Sequence, residues 1–394
     1  MSLLRLVLVT QRFWPYIGRG ARSMANLAGE LASCGVEVTL LTARGHPRWP
    51  AEIGFRGVPV LRLPDPPGRH PNMTRYLKSL GRWLAGNRDR YDLVCVSSLR
   101  RDAHAALAAV PKGVPVVLRA ETAGRFGDCI WQLEARGGRR IKRRCMKADA
   151  LVGPTRAIER ELIAAGYPRD RIHYLPNGVP DRPARDAAGK AAARAVLVAA
   201  NPSLRMPLDG PLAVYAGRLD EAKGLGDLVA AWRRVVVRRP DARLWLAGEG
   251  PFQRALEARI VDLDLLGRVF LAGLFDSVEE LLAAADLFVL PSREEGPSLA
   301  LLEAMTAGLP IVATDISGTR ELVTDGLHAR LAPAREVDAL AAAIGHLLDE
   351  PDAAAQLGQA ARRRAQDRFS LASMADAHLK LFGELRVESP EWRV

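Results

Sequence analysis

In "SREEGPSLALLEAMTAGLPIVAT" (292–314) two glutamates, Glu295 and Glu303, stand eight positions apart. Glu295 lies among turn formers, and Gly296, Pro297 and Ser298 after it suit a turn and a helix start. Glu303 lies inside that helix, and the residues around it from Leu299 to Met305 are apolar. A helix apolar on nearly every side is usually buried, and a buried carboxylate is costly unless donors meet it. The hydroxyls of a sugar or ribose would serve as such donors. The alternative is a helix with one narrow solvent-facing edge carrying Glu303. On these residues alone both readings stand.

A second constellation is cationic. "AGRLDEAKG" (216–224) follows the apolar run "LAVYAG" and precedes the helix-like "LGDLVAAWRRVVVRR". Arg218 and Lys223 then emerge at the carboxyl end of a strand, beside a helix N-terminus with free backbone N–H groups. A diphosphate would fit there; equally, both could be solvated loop cations paired with Asp220 and Glu221. "LAGEGP" (246–251) repeats the strand–turn–helix arrangement. Its Gly248 and Gly250 permit a tight turn and close approach of backbone to a ligand, though such turns also simply connect elements.

The elements that must carry these residues alternate short β-branched runs with helix-like stretches, which predicts an α/β chain of parallel sheets with crossover helices. In the first half the expected strands are "RLVLVT", "VEVTLLT", "VPVLRL", "DLVCVSS", "VPVVLRA", "DALVGP" and "IHYLPN". In the second they are "LAVYAG", "RLWLAGEG", "RVFLAG", "DLFVLPS", "LPIVAT" and "ARLAP". The Ala-, Pro- and Arg-rich stretch between them shows no clear strand. The expected plan is therefore two doubly wound, Rossmann-like domains: 1–185, a linker over 186–209, and a second domain over 210–369. A C-terminal helix over 370–390 is expected to pack back on the first. Doubly wound sheets bind ligands beyond the carboxyl ends of their strands, so two such domains facing each other across a cleft suit a two-substrate enzyme.

Composition narrows the function classes. With 394 residues, 48% of them hydrophobic and 26% charged, the chain is globular rather than disordered. The N-terminal "MSLLRLVLVTQRFW" reads as a first buried strand, since Arg5 interrupts it and no small-residue cleavage site follows. No run reaches the ~18 apolar residues of a membrane span. Cys34, Cys95, Cys129 and Cys145 lack paired spacing, so neither a disulfide framework nor a zinc site is suggested, and a cytoplasmic location is expected. Residues 1–200 carry 34 Lys+Arg against 16 Asp+Glu, and residues 201–394 carry 22 against 29. The basic half attracts phosphate or an anionic surface. Its densest run, "RGGRRIKRRCMK" (136–147), has seven cations and no acid. It is a solvated helix face, a docking site for anionic lipid headgroups at the inner face of the cell membrane, or a site for an acidic or lipid-diphosphate acceptor. Without interleaved aromatics it is a poor nucleic-acid site. His104, in an Ala-rich helix, reads as structural.

Taken together, Gly217-Arg218 with Lys223-Gly224, then E-G-P-S-L-x-L-L-E-A-M with Glu295 and Glu303, then Gly308 and Pro310, resemble the family 4 retaining glycosyltransferases of the two-domain GT-B fold. The resemblance extends over nearly the whole chain. "PYIGRGARSMANLAGELASCGVEVTLLT" is similar to the family's first glycine loop, helix and second strand; "LPNGV" (175–179) resembles the close of its first domain; "DISGTRELVTDG" (315–326) matches a later stretch. The resemblance implies a glycosyltransferase that moves a sugar from a nucleotide-diphosphate sugar to an acceptor, lipid-linked or anionic, with retention of configuration. No cofactor or metal is expected beyond the nucleotide-sugar co-substrate, as no Asp-x-Asp pair suited to a metal–diphosphate clamp appears. By the same resemblance Arg218 and Lys223 neutralise the diphosphate and help it leave, and Glu303 accepts from the ribose hydroxyls. Glu295, with the N–H groups of Ser298 and Leu299, holds the transferred sugar, and the backbone at Phe275 reads the base. Two departures stand out. The early loop reads Gly18-Arg19-Gly20 where the family usually has adjacent glycines. Glu121 stands near the place of a frequent histidine, as a contact to sugar or acceptor. A non-catalytic nucleotide-sugar-binding subunit, a nucleotide-sugar epimerase or a phosphorylase on the same scaffold are the alternatives, and retention of Arg218, Lys223, Glu295 and Glu303 favours the transferase.

Overall fold

The computed structural model describes residues 3–15, 19–64, 73–124, 127–183, 186–204, 210–275, 278–294, 296, 298 and 299–388. The chain divides into two compact units. One comprises residues up to Gly178 together with those from Ser370 onward; the other is Val179–Phe369.

In unit 1 the elements run β1 (Arg5–Thr10), α1 (Arg19–Ser33), β2 (Glu37–Arg44), β3 (Glu52–Phe55), β4 (Val58–Pro64), α2 (Met73–Gly86), β5 (Leu93–Ser97), α3 (Arg101–Ala109), β6 (Val116–Arg119), α4 (Asp128–Glu134), α5 (Gly138–Cys145), β7 (Ala150–Gly153), α6 (Arg156–Ala164) and β8 (Ile172–Tyr174). The eight strands lie in the order β3-β4-β2-β1-β5-β6-β7-β8. All pair in parallel except β3 with β4. The seven strands expected in this half form. The hairpin strand β3 was not expected, since "EIGF" is too short and too mixed to stand out.

Strands β1, β5, β6 and β7 are buried along nearly their whole length, because helices cover both faces of a parallel sheet. Two apolar layers result. One, on the α2/α3 side, centres on Tyr76, Leu80, Val94 and Leu118. The other, on the α1 side, holds Met24, Leu27, Leu8 and Cys95. The latter layer is closed by Met374, Ala375, Leu381 and Phe382. These belong to the last helix of the chain (Leu371–Glu388), which packs on α1 as expected.

Unit 2 begins differently from the expected linker. Residues Ala187–Ala200 form a helix, α7. Alanine is the best helix former, and Asp186 caps the first turn by accepting from Gly189 N at 2.6 Å. Arg194, 2% exposed, donates to the carbonyls of Ala284 and Gly210 and to Asp286, which also takes Lys190 at 2.8 Å. The segment is therefore part of unit 2, and the chain passes between units at Gly178/Val179.

The remaining elements are β9 (Leu212–Ala216), α8 (Leu225–Arg238), β10 (Arg243–Ala247), α9 (Gln253–Asp262), β11 (Val269–Gly273), α10 (Val278–Ala284), β12 (Leu287–Leu290), α11 (Leu299–Thr306), β13 (Ile311–Thr314), α12 (Ser317–Leu322), β14 (Arg330–Ala332), α13 (Val337–Asp349) and α14 (Pro351–Phe369), followed by the last helix as α15. The six strands are all parallel, in the order β11-β10-β9-β12-β13-β14. In both sheets the strand order reverses direction once, between β1 and β5 and between β9 and β12. Such switch points leave a crevice at the carboxyl ends of the two strands.

Candidate active site

The unit 2 switch point lies between the two loops whose residues suggested chemistry. After β9 the backbone of Arg218 is pinned by Tyr215, a buried residue whose hydroxyl donates to Arg218 O at 2.9 Å. Leu219 N donates to Glu249 O, and Phe252 N to Leu219 O. The loops after β9 and β10 thus run backbone against backbone. A Cβ at Gly248 would come within 1.8 Å of Gly217 O, and one at Gly250 within 2.1 Å of Leu219 O. These two glycines are demanded first by this close approach between loops.

The loops after β9 and β12 are clamped just as closely. Gly224, at φ +66°, leaves room for the Pro291 carbonyl, which a Cβ would meet at 2.0 Å. Arg293 N donates to Ala222 O at 2.9 Å. The Arg293 guanidinium forks onto Asp227 in the first turn of α8, with both contacts at 3.0 Å. Hydrogen bonding to Asp227 pushes Arg293 above its ordinary value. These contacts hold the loop of Arg218 and Lys223 beside the loop that leads into α11.

Side chains on the two loops differ in exposure. Arg218 is 69% exposed and lies 3.7 Å from Asp220, too far and too wet for that pair to hold it. Glu303 is 5% exposed, and its neighbours on α11 from Leu299 to Thr306, Ala300 excepted, are buried with it. The solvent-facing edge weighed for Glu303 is not present. Ser298, at the helix start, gives α11 no side-chain cap, so its first-turn N–H groups keep their positive potential for another acceptor. Phe275, after β11, packs half-buried against the unit 2 core. Glu295 and Pro297 lie outside the described residues.

In unit 1 the switch point holds an unexpected polar network. Glu121 follows β6. Its Oε1 accepts from Ser97 Oγ at the end of β5 and from Arg119 at 3.3 Å. Arg119 is fully buried and also donates to Ser23 Oγ on α1 and to Asn177. Asp128 accepts from Glu121 N at 3.2 Å and from Arg100 at 2.7 Å, tying the β5 and β6 loops together. The other carboxylate oxygen of Glu121 faces Gly20, where a Cβ would approach it to 2.5 Å. Gly20 thus leaves room for that carboxylate, which a side chain here would push aside. Arg19 opens α1, and Gly18 lies outside the described residues. His104 takes Arg144 at 3.1 Å; burial, then Arg144 and Arg140, push it below its ordinary value, in keeping with a structural role.

Two family models match, one for glycosyl transferase 4-like domains over residues 20–178 and one for glycosyl transferases group 1 over residues 210–350. Each falls on one of the two units. The chain belongs to the group 1, family 4-type glycosyltransferases. Among curated relatives, the alpha-maltose-1-phosphate synthase of Mycolicibacterium smegmatis is 26% identical over 412 residues, covering 96% of this chain and 99% of that protein. The glycogen synthase of Mycobacterium tuberculosis is 36% identical over 181 residues, which is 45% of this chain and 44% of the relative. Among solved structures, the sucrose-phosphate synthase of Thermosynechococcus elongatus superposes with a TM-score of 0.79 at 22% identity, covering 98% of this chain and 100% of that one. Anabaena HepE, solved with UDP and glucose, gives 0.76 at 19% identity over 96% and 99%. The fold of this glycosyltransferase is GT-B, with two Rossmann-like units.

Sequence reasoning did not single out Arg293, Asp227, Arg119, Ser97 or Asn177. For Arg119 a signal existed: it sits in the apolar run "VPVVLRA", as Glu303 sits in its own. A charge inside a buried strand demands partners, and the same argument applied there would have pointed to the network.

Proposed function

We propose that this glycosyltransferase moves a sugar from a nucleotide-diphosphate sugar to a lipid-linked or anionic acceptor, with retention of anomeric configuration. The observation that carries the reading is the clamp at the unit 2 switch point. It ties the loop that carries Arg218 and Lys223 to the chain at Pro291 and Arg293, a few residues before α11, in which Glu303 is buried. The first-turn N–H groups of α11 and the two cations supply preorganised positive charge where a leaving diphosphate becomes negative. Glu303 accepts from the ribose hydroxyls, Glu295 with Gly296 and Pro297 holds the transferred sugar, and the backbone at Phe275 reads the base. Glu121 meets the sugar or the acceptor from unit 1.

In this reading the acceptor hydroxyl oxygen bonds to the anomeric carbon on the face the phosphate leaves. The bond from that carbon to the phosphate oxygen breaks, and the departing diphosphate takes the hydroxyl proton. The cations do the work a metal does in other diphosphate sites, so no metal is required. We place the reaction in the cytoplasm, at the inner membrane face.

The test is mass-spectrometric screening of the purified protein against a panel of nucleotide-sugars with and without acceptors. Nucleoside diphosphate should accumulate with glycosylated acceptor and only when acceptor is present. Turnover to an isomerised nucleotide-sugar, or binding with no release in any pairing, would overturn the transferase reading.

A further inference from the structure

Helices α3, α4 and α5 give unit 1 a face whose charge the transferase chemistry does not use. Helix α5 buries Gly138, Ile141 and Cys145 and carries five cations in its eight residues, with no acid. Its position is fixed, because a Cβ at Gly138 would strike Gln132 O at 2.1 Å, so α5 starts hard against the end of α4. Arg139, Arg140 and Arg143 are exposed. Arg144, next in the run, is not part of that display: it turns to α3 and donates to the His104 ring and carbonyl.

The structure adds residues that the basic run alone did not reveal. Trp131 on α4 is half-buried, and the guanidinium carbons of Arg100 and Arg101 lie 5.5 and 5.7 Å from its ring centre. Leu133, two residues on, is 64% exposed. The nearby acids Asp102 and Asp128 are buried, so among the described residues of α3–α5 only Glu134 offsets the cations at the surface. An indole flanked by arginines, an exposed leucine and a rigid row of arginines match the chemistry of an interface between headgroup phosphates and acyl chains.

We infer that these helices dock the enzyme on an anionic lipid bilayer, with Arg139, Arg140 and Arg143 over the headgroups and the exposed Leu133 at the acyl boundary. The inference gives the inner-membrane part of the proposed function its surface. It does not depend on the donor site. A duplex or single-stranded nucleic acid would use the same arginines but would leave Leu133 without a role.

The experiment is sedimentation of the full chain with phosphatidylglycerol and phosphatidylcholine vesicles at low and high salt, with a DNA duplex and a single-stranded RNA as competitors. Each cation near an anionic surface contributes about a fivefold factor in partitioning. The triple variant R139E/R140E/R143E should therefore lose about a hundredfold or more, while R233E/R254E/R335E, which changes the net charge equally on unit 2, should lose little. L133S should weaken binding at both salt concentrations, since the apolar contribution of Leu133 is not screened. Circular dichroism melts identify any variant that has failed to fold, and R139Q/R140Q/R143Q then replaces the first triple. Binding to phosphatidylcholine as strong as to phosphatidylglycerol, equal losses in the two triples, or displacement from vesicles by stoichiometric nucleic acid would overturn the inference. Vesicle binding in a protein that releases no nucleoside diphosphate would instead leave the docking face standing and sink the transferase reading.

Discussion

Replacing Arg293 tests whether the donor site depends on how its two loops are held. The guanidinium makes two 3.0 Å contacts with Asp227, and the side chains are 26% and 17% exposed. A charge-assisted fork of this burial is worth about 2 kcal/mol. In Arg293→Ala the Arg293 N to Ala222 O bond and the approach of Gly224 to Pro291 O remain, so the loops stay adjacent while their relative setting loosens. If all of the lost energy were drawn from nucleotide binding, affinity would fall about thirtyfold, and a partial draw gives about tenfold. Isothermal calorimetry with the nucleoside diphosphate measures this directly. Arg293→Lys keeps the charge but cannot fork, so it should fall between wild type and alanine. Arg293 touches no substrate in this scheme and acts as a positioning residue, so the Michaelis constant for the donor should rise more than turnover falls. Nucleotide affinity within twofold of wild type in Arg293→Ala, alongside a clear loss in Lys223→Ala, would refute the clamp as a determinant of the donor site.

Arg218→Ala and Lys223→Ala should each weaken nucleoside diphosphate binding by about one to two decades. Arg218→Ala should barely shift the melting temperature, because its 3.7 Å pair with Asp220 is exposed. If these cations stand in for a metal, as proposed, activity should survive exhaustive chelation, and loss of turnover restored by a divalent ion would contradict that. Glu303→Gln should lower affinity for both nucleotide-sugar and free diphosphate, whereas Glu295→Gln should slow transfer and leave product affinity nearly intact; two variants alike in both assays would refute the division. Burial, with Arg119 nearby, pushes His378 down to about 3, and its ring stays neutral while Nδ1 donates to Met374 O. The unfolded chain binds the proton first as pH falls below about 6.5, costing about 2 kcal/mol by pH 5, and the loss continues until about pH 3. Urea midpoints of His378→Leu should therefore drop less than wild type between pH 7 and 5, and parallel drops would refute the assignment.

The elements were legible where pattern was strong. Runs such as "RLVLVT" and "LAVYAG" sit on both-face-buried parallel strands, so their apolar continuity had only one reading once helices flanked them. The loop of Arg218 and the turn before the helix of Glu303 were legible as strand-to-helix connections. The burial of Glu303 was not, because periodicity alone leaves a narrow exposed edge open. The stretch 186–209 was misread because absence of strand was taken as absence of structure, while its alanines and the Asp186 cap wrote a helix. Asn177 and Ser23 stand 58 and 96 positions from Arg119, which they meet in the network. No local signal reports a contact of that span. The glycines were legible as turn formers, but what they make room for (a carbonyl of the neighbouring loop, or the Glu121 carboxylate) becomes visible only in three dimensions.

The way α15 completes unit 1 has a consequence for biosynthesis. The ribosome delivers the first sheet and its flanking helices by residue 178, yet one apolar layer of that unit waits for Met374, Ala375, Leu381 and Phe382. Until the last turns of α15 leave the exit tunnel, Met24, Leu27 and their neighbours lack their final cover. Unit 2 is made entirely within that interval, so it can fold as a unit first although it comes second in the chain. A nascent chain stalled before Ser370 would hold a finished unit 2 beside an open-faced unit 1, a species that chaperones would bind and proteases would cut. A truncation within α15 would therefore act as a defect of the N-terminal half, whose core layer it leaves open.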